Sequence, residues 1–159
     1  MEYHIKKIDK SNRQKVLEII VQEWYSTKVV AKGKIYDTKL LHGFVVEHRN
    51  KILGIITCHI QMDKYQICTL NSLDENKSIG TSLVNRAVKD AKAKKCTCVW
   101  LITTNDNINA IRFYQKRGFE LKALHNNAIE KSRKLKPEIP LTGFYDIPIV
   151  HELEFERKI

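Results

Sequence analysis

The residues best suited to chemistry lie in one stretch, LITTNDNINAIRFYQKRGF, at positions 101–119. Its first residues are apolar or β-branched, which is typical of the end of a buried strand. Asn105 and Asp106 favour a helix start, because their side chains accept hydrogen bonds from the unpaired N–H groups of a first turn. Asn107 and Tyr114 would then lie on a short helix that begins at the end of a strand. This is where α/β sheets commonly bind ligands.

The pattern NDNxxAxxFYxxxGF in this stretch resembles the second half of the acyl-CoA-binding core of the GNAT superfamily of N-acetyltransferases. The resemblance implies that Asn107 bonds the pantetheine arm or orients the helix. It also implies that Ala110 lines the acyl-CoA site and that the Tyr114 hydroxyl lies near the thioester sulfur. Phe113 and Phe119 have a simpler interpretation, which we favour, as aromatic side chains that fill the core.

A second candidate site is the segment DENKSIGTSLV at positions 74–84. A glycine-bearing turn that leads into a helix binds anions, because the first N–H groups of the helix have no internal partner and the helix dipole adds partial positive charge. A pyrophosphate suits this geometry. Backbone donors, hydroxyls and one cation would come from Lys77, Ser78, Ile79, Gly80, Thr81 and Ser82.

This segment resembles the (Q/R)xxGxG loop of the same family, with two departures. Ser78 replaces the first glycine, and a side chain there is costly if the turn needs a positive φ. Glu75 stands where Gln or Arg is usual, and a carboxylate beside a pyrophosphate is unfavourable unless it points away. The alternative is a plain polar turn in which Gly80 serves helix packing.

Acyl transfer from a thioester to an amine needs a neutral amine, donors for the oxyanion and relief of charge on the leaving thiolate. Tyr114 is the candidate catalytic residue, as the proton donor to the thiolate, since a tyrosine has a pKa of about 10. The resemblance assigns the oxyanion donors to backbone N–H groups near Leu70, Asn71 and Ser72. These three residues therefore join the predicted acyl-CoA site.

The sequence leaves several candidates for the general base. Family members often carry a carboxylate in the strand before the phosphate loop, and the comparable position here is Gln66, which is a poor proton acceptor. Other candidates are Asp63, Asp74, Glu75, Glu47, His59, His125 or a chain of water molecules.

Several helices and strands must position these residues. The spacing of apolar residues predicts helices over 11–24, 78–93, 105–117 and 128–135, the first with a Ser11–Gln14 capping box. Strands are predicted over 2–8, 43–48, 51–62, 65–73, 97–104, 119–125 and 152–156. Segment 26–42 is predicted as a second short helix or a loop, and the resemblance implies that it lines the acceptor pocket. Strands and helices that follow one another in this mixed order predict an α/β fold. The resemblance specifies a GNAT-like mixed central β-sheet flanked by helices on both faces, in a single domain over 1–159.

Composition and charge limit the classes of function that fit this chain. Apolar residues make up 43% of the 159 residues, as in a globular protein, and no apolar run reaches the length of a membrane span. We expect a cytoplasmic protein without a membrane anchor. The net charge of +10 comes from 28 basic against 18 acidic residues that are spread along the chain, which disfavours nucleic-acid binding. The four cysteines lack zinc-ligand spacing, so we predict no metal site.

The segment NAIEKSRKLKPEIPLTG resembles the SRKLKPxIPxxG-like tail of a subset of bacterial GNAT proteins. Arg133 or Lys136 could select an anionic acceptor, but a structural wrap is the favoured interpretation. The leading hypothesis is therefore an N-acetyltransferase that moves an acetyl group from acetyl-CoA to a primary amine of a small molecule, peptide or protein, as a monomer or homodimer. The alternative is a non-catalytic acyl-CoA-binding sensor with a degenerate phosphate loop.

Overall fold

The computed structural model describes residues 2–74 and 78–159, and a seven-stranded sheet forms its centre. The strands of this sheet are β1 (His4–Lys7), β4 (His42–His48), β5 (Lys51–Gln61), β6 (Lys64–Ser72), β7 (Cys98–Thr104), β8 (Glu120–His125) and β9 (Glu152–Lys158). They lie side by side in the order β1–β4–β5–β6–β7–β9–β8. Strands β6 and β7 are parallel, and the other neighbouring pairs are antiparallel. A separate hairpin consists of β2 (Lys28–Ala31) and β3 (Lys34–Asp37).

Helices cover both faces of the sheet. They are α1 (Arg13–Trp24), α2 (Ile79–Ala93), α3 (Ile108–Lys116) and α4 (Ala128–Leu135). On one face, which we call the α1 face, Val16 and Ile20 of α1 pack against Ile55 of the sheet. On the other, the α2 face, Leu83 of α2 packs with Phe44. The predicted α/β fold, a mixed central sheet between helices, is confirmed.

The α1 face is also covered by the β2–β3 hairpin. Its Val29 and Tyr36 are buried with Leu41, and Trp24 and Cys68 pack against them. Segment 26–42, predicted as a second short helix or a loop, thus forms two strands, followed by one turn of 3-10 helix at Thr38–Leu40. The prediction missed the two strands.

The start of α1 also differs from the prediction. The helix begins at Arg13 rather than Ser11, and its N-cap residue Asn12 makes no side-chain capping bond. The Ser11 hydroxyl instead donates to the Asp9 carboxylate at 2.6 Å. Because Asp9 captures this hydroxyl before the helix starts, the predicted Ser11–Gln14 capping box does not form. No helix in the part of the chain that the structure describes is long and apolar enough to cross a membrane.

Candidate acyl-transfer site

A gap opens between β6 and β7 at the centre of the sheet. The two strands pair from Lys64 opposite Cys98 to Ile67 opposite Leu101, and among the described residues their pairing goes no further. Both strands nevertheless continue, to Ser72 and Thr104. We call the wedge between these unpaired halves the gap.

A β-bulge in β6 explains the gap. On β5, Thr57 faces Thr69 while the next residue, Cys58, faces Ile67, so Cys68 is an extra residue without an opposite partner. A bulge of this kind bends its strand and increases the local twist. Strand β6 therefore stays paired with β5 after Cys68 while it turns away from β7.

The backbone of β6 beyond the bulge presents donors to the gap. The Leu73 N–H donates to the Leu53 carbonyl at 2.8 Å, on the β5 side. Since N–H directions alternate along a strand, the N–H groups of Leu70 and Ser72 point to the opposite side, into the gap. The Asn71 side chain is already engaged, because its oxygen accepts from the Trp24 indole at 2.8 Å.

The first turn of α2 lies beyond the end of β6, as the sequence predicted. The first helical bond runs from the Ser82 N–H to the Ser78 carbonyl at 3.1 Å, so Ile79, Gly80 and Thr81 have N–H groups with no acceptor inside the helix. Ser78 has φ 55° and ψ 26°, the left-handed conformation in which a side chain is costly. Two residues of this segment, Glu75 and the predicted ligand Lys77, lie outside the described residues.

The side chains around this turn link α2 to its neighbours. The Ser82 hydroxyl shares a hydrogen bond of 2.9 Å with the Tyr3 hydroxyl, and Thr81 Oγ1 accepts from Arg117 Nε at 2.9 Å. A Cβ on Gly80 would lie 3.2 Å from the Phe113 ring, so this glycine does allow close packing of α2 on α3.

Arg117 is the cation that the sequence analysis missed. It was visible only as a basic residue near the end of α3, a common position that complements the helix dipole. In the structure its guanidinium lies 3.7 Å from the Phe113 ring centroid and bonds to Thr81 in the first turn of α2. A fixed positive charge therefore lies beside the predicted pyrophosphate position.

Helix α3 carries the remaining predicted residues. The Asn107 side chain caps the helix by accepting the Ala110 N–H at 3.1 Å, and Ala110 packs against the core. Tyr114 is 6% exposed, with its ring 5.1 Å from that of Phe113 and 5.4 Å from that of Phe119. Burial raises the pKa of the Tyr114 phenol well above its ordinary value, so the hydroxyl keeps its proton at neutral pH.

On the α1 face, a cavity of about 210 Å³ lies over the paired part of β6 and β7. His59, Gln66 and Trp100 line it and stand opposite one another on β5, β6 and β7. Gln66 is 2% exposed, and its Oε1 has no hydrogen-bond partner among the described residues. Burial and the Lys34 charge lower the pKa of His59, which favours a neutral imidazole.

Two of the candidate bases are occupied away from the gap. Glu47, near the outer edge of the sheet, forms an ion pair with Lys6 at 2.9 Å. Asp63, in the β5–β6 turn, accepts the Thr97 hydroxyl at 3.0 Å and so lies at the end of β6 opposite to the gap.

Two basic residues at the end of α4 bind backbone carbonyls of neighbouring segments. Arg133 donates to the carbonyls of Pro140 and Ile149 at 2.8 Å, and the Lys136 amine donates to the Trp24 carbonyl. Both side chains that were considered as selectors of an anionic acceptor are therefore engaged with backbone carbonyls, as in a structural wrap.

Comparison with known proteins agrees with this architecture. The Bacillus subtilis (strain 168) uncharacterized protein YxbD is 43% identical over 139 residues, which cover 87% of each chain. An IAA acetyltransferase from Bacillus cereus ATCC 14579 superimposes with a TM-score of 0.76 at 16% identity, over 99% of this chain and 100% of the other. A GNAT family acetyltransferase from Elizabethkingia anophelis with acetyl-CoA bound gives 0.73 at 14% identity, over 99% and 98%.

The two solved structures, at such low identity, show the fold alone. The family itself is established by sequence, because the profile of the Acetyltransferase (GNAT) family matches residues 13–119, well over half of the chain. The chain therefore belongs to the GNAT acetyltransferase family.

Proposed function

We propose that the protein is an acetyl-CoA-dependent N-acetyltransferase that acts on a primary amine by direct transfer. The observation that carries this proposal is the gap between β6 and β7, with the N–H groups of Leu70 and Ser72 directed into it and the first turn of α2 beside it. Membership of the GNAT family and the acetyl-CoA bound to the Elizabethkingia anophelis relative support the same donor.

The pyrophosphate of acetyl-CoA would bind at the start of α2. The free N–H groups of Ile79, Gly80 and Thr81 supply donors, and the helix dipole adds partial positive charge. Arg117 adds a full charge next to this turn. The pantetheine arm then extends into the gap, past Asn107 and Ala110 at the start of α3.

The chemistry follows from the groups that surround the gap. The N–H groups of Leu70 and Ser72 stabilise the oxyanion that develops when the amine attacks the thioester carbonyl. Tyr114 donates a hydrogen bond to the departing thiolate. Because the pKa of this phenol is raised above that of a thiol, the hydroxyl relieves the charge by hydrogen bonding more effectively than by complete proton transfer.

A non-catalytic acyl-CoA sensor is the second candidate, and Ser78 and Gln66 motivate it. The left-handed φ of Ser78 strains the turn before α2, and Gln66 supplies no base. Neither residue removes the donors in the gap or the hydroxyl of Tyr114. The catalytic function is therefore the one that we propose.

A calorimetric titration with acetyl-CoA, followed by measurement of thiol release across a panel of primary amines, tests the proposal. We expect saturable binding and amine-dependent release of CoA. Binding without turnover on any amine would favour the sensor. Absence of binding at millimolar acetyl-CoA would contradict both functions.

A further inference from the structure

Two buried carboxylates lie one strand away from the open half of β7. Glu152 and Glu154 of β9 are 2% and 7% exposed. They stand opposite Thr104 and Ile102, which belong to the part of β7 beyond its last pair with β6. Opposite residues in an antiparallel pair project from the same face with Cβ atoms about 5 Å apart. Both carboxylates therefore project from the same face as Ile102 and Thr104, and β7 separates them from the gap.

The face is the α1 face. Trp100, at even spacing with Ile102 and Thr104, lines the cavity on that face, and the hairpin turn contacts the glutamates there. An acceptor that approaches from the hairpin side would thus meet these carboxylates, while the phosphate-binding turn of α2 belongs to a helix on the opposite face.

The groups around the two carboxylates differ. Glu154 Oε1 is paired with the Lys32 amine at 3.0 Å and with His125 Nε2 at 2.9 Å. Glu152 Oε1 accepts only the Lys32 backbone N–H, at 3.1 Å. For Glu152 Oε2 the described residues offer no hydrogen-bond partner. Two further cations lie close to the hairpin turn: Lys34, the first residue of β3, and Lys131 of α4, whose amine lies against Gly33.

This arrangement separates the two carboxylates by pKa. Burial raises the pKa of Glu152, and the backbone bond from Lys32 offsets this only in part. Burial acts on Glu154 too, but its bonds to His125 and Lys32 outweigh it and lower the pKa. Neighbouring acids whose pKa values are driven apart are typical of acid–base sites, since a base with a raised pKa takes up a proton more readily.

Burial of a carboxylate with a single neutral donor is costly for stability. Glu152 adds one hydrogen bond to the hairpin turn, through Oε1, but Glu154 already anchors the hairpin through Lys32 and β8 through His125. The Oε2 atom, which has no hydrogen-bond partner among the described residues and lies one strand from the gap, is therefore the oxygen that is available to react.

We propose that Glu152 is the general base of the reaction and that the acceptor is a cationic primary amine that enters from the hairpin side. Glu154, with Lys32 and His125, is a positioning group. This inference rests on the proposed function and adds to it a base and a charge for the acceptor.

The proton balance is simple. The ammonium gives one proton to Glu152 Oε2, and the neutral nitrogen attacks the thioester carbonyl. As the new C–N bond forms and the C–S bond breaks, the nitrogen loses a second proton and the thiolate gains one. Glu152 later releases its proton to water, so an ammonium and a thioester give an amide, a thiol and one proton.

The cavity residues do not compete for this role. His59 and Gln66 lie over the half of β6 that is still paired with β7, before the gap opens. They are placed to contact the body of the acceptor, together with Trp100, rather than its reacting nitrogen.

Glu152→Gln tests the proposal, with Glu156→Gln as the matched control. Glu156 lies on the same strand and face but is paired with Lys122 and stands opposite Trp100, below the gap. We expect Glu152→Gln to lower kcat by roughly 100-fold to 10,000-fold, the usual contribution of a general base. The acidic limb of the pH profile of kcat should disappear, while the affinity for acetyl-CoA stays unchanged. Glu156→Gln should retain wild-type kcat.

Glu154→Gln supplies the test of positioning. Removal of its negative charge leaves Lys32 and His125 to act on Glu152 alone, which lowers the pKa of Glu152. The acidic limb should therefore move to lower pH without disappearing. A role in stability alone would change the melting temperature and leave the limb in place.

A carbon-13 NMR titration of the glutamate carboxyls in the wild type gives a readout that needs neither turnover nor a folded variant. We expect Glu152 to titrate above the ordinary glutamate range. Titration at or below that range, or a Glu152→Gln variant as active as Glu156→Gln, overturns this inference and leaves the proposed function intact. A wild type that binds acetyl-CoA but acetylates no amine overturns both.

Discussion

At the scale of single residues, the Tyr114 hydroxyl is the group whose removal tests the leaving-group step most directly. Tyr114→Phe keeps the ring between Phe113 and Phe119 and deletes only the hydroxyl, and with it the proposed hydrogen bond to the thiolate. We expect kcat to fall by roughly 100-fold, at the lower end of acid–base effects, with an unchanged affinity for acetyl-CoA. Steady-state kinetics under chemistry-limited conditions measure this.

Tyr65→Phe is the control for that experiment. Tyr65 is also a buried tyrosine, but its hydroxyl donates to Asp90 at 2.8 Å, near the C-terminal end of α2 and far from the gap. Its loss should lower the free energy of unfolding by about 1–3 kcal/mol, since Asp90 loses a buried partner, and should leave kcat unchanged. Equal kcat values for Tyr114→Phe and wild type would remove Tyr114 from the mechanism.

Ser78 carries a second prediction at the same scale. Its side chain makes no capping bond, and its φ of 55° is the left-handed value that glycine adopts without cost. Ser78→Gly should therefore raise the free energy of unfolding by about 0.5–1 kcal/mol, the strain relieved less the entropy that glycine loses on folding. Urea denaturation measures it.

Ser78→Ala provides the comparison, because alanine keeps the Cβ in the same strained conformation. It should give no stabilisation. If Ser78→Gly were no more stable than Ser78→Ala, the turn before α2 would not be strained, and the departure from the family glycine would carry no cost.

At the scale of elements, amphipathic spacing predicted the strands and helices that pack on the core, such as α2 and the β4–β5 hairpin. It failed for β2 and β3, which lie in the segment that was predicted as a short helix or a loop. Lys32 and Gly33 both have positive φ, 51° and 72°, and form the two-residue turn of a hairpin. The signal was present, as a glycine between the short runs VVA and KIYD, but lysine is an uncommon residue at the first position of such a turn.

The close packing of α2 on β5 gives the prediction at the scale of elements. A Cβ on Gly54 would lie 2.4 Å from Ile79 Cγ2 and 3.2 Å from the Asn71 carbonyl oxygen, so Gly54→Ala must push α2 away from the sheet. We expect a loss of about 1–3 kcal/mol in unfolding free energy. The affinity for acetyl-CoA should fall as well, because the first turn of α2 moves relative to the gap. Denaturation and calorimetry measure the two effects.

Gly80→Ala distinguishes the crowding of a neighbouring side chain from the displacement of α2 relative to the sheet. Its Cβ would meet only the edge of the Phe113 ring, at 3.2 Å, and a ring can shift more easily than a strand backbone. We expect a smaller loss of stability than for Gly54→Ala. The opposite order would mean that the α2–α3 contact, rather than the α2–β5 contact, fixes the position of the first turn of α2.

At the scale of the whole molecule, the sequence could predict only those parts of the candidate site whose residues lie close together along the chain. The 78–82 turn and the 107–114 helix were both found in this way. From the sequence, Glu152 could be assigned only to the last predicted strand. Its position one strand from the gap depends on β9 lying next to β7 in the sheet. Sheet order of this kind brings together residues that are about 50 positions apart, and no local pattern encodes it.

The net charge of +10 supplies the prediction at this scale. Acetyl-CoA carries several phosphate charges, and a positive protein attracts such an anion over a distance set by the ionic strength, about 10 Å at 0.1 M salt and 3 Å at 1 M. We therefore expect the affinity for acetyl-CoA to fall about tenfold between roughly 0.05 and 0.5 M sodium chloride, measured by calorimetry. Acetyl-pantetheine, which lacks the nucleotide phosphates but keeps the pantetheine arm, should bind more weakly and with no salt dependence. If both ligands lost affinity in parallel, salt would be acting on the fold of the gap itself, and the basic surface would have no part in binding the donor.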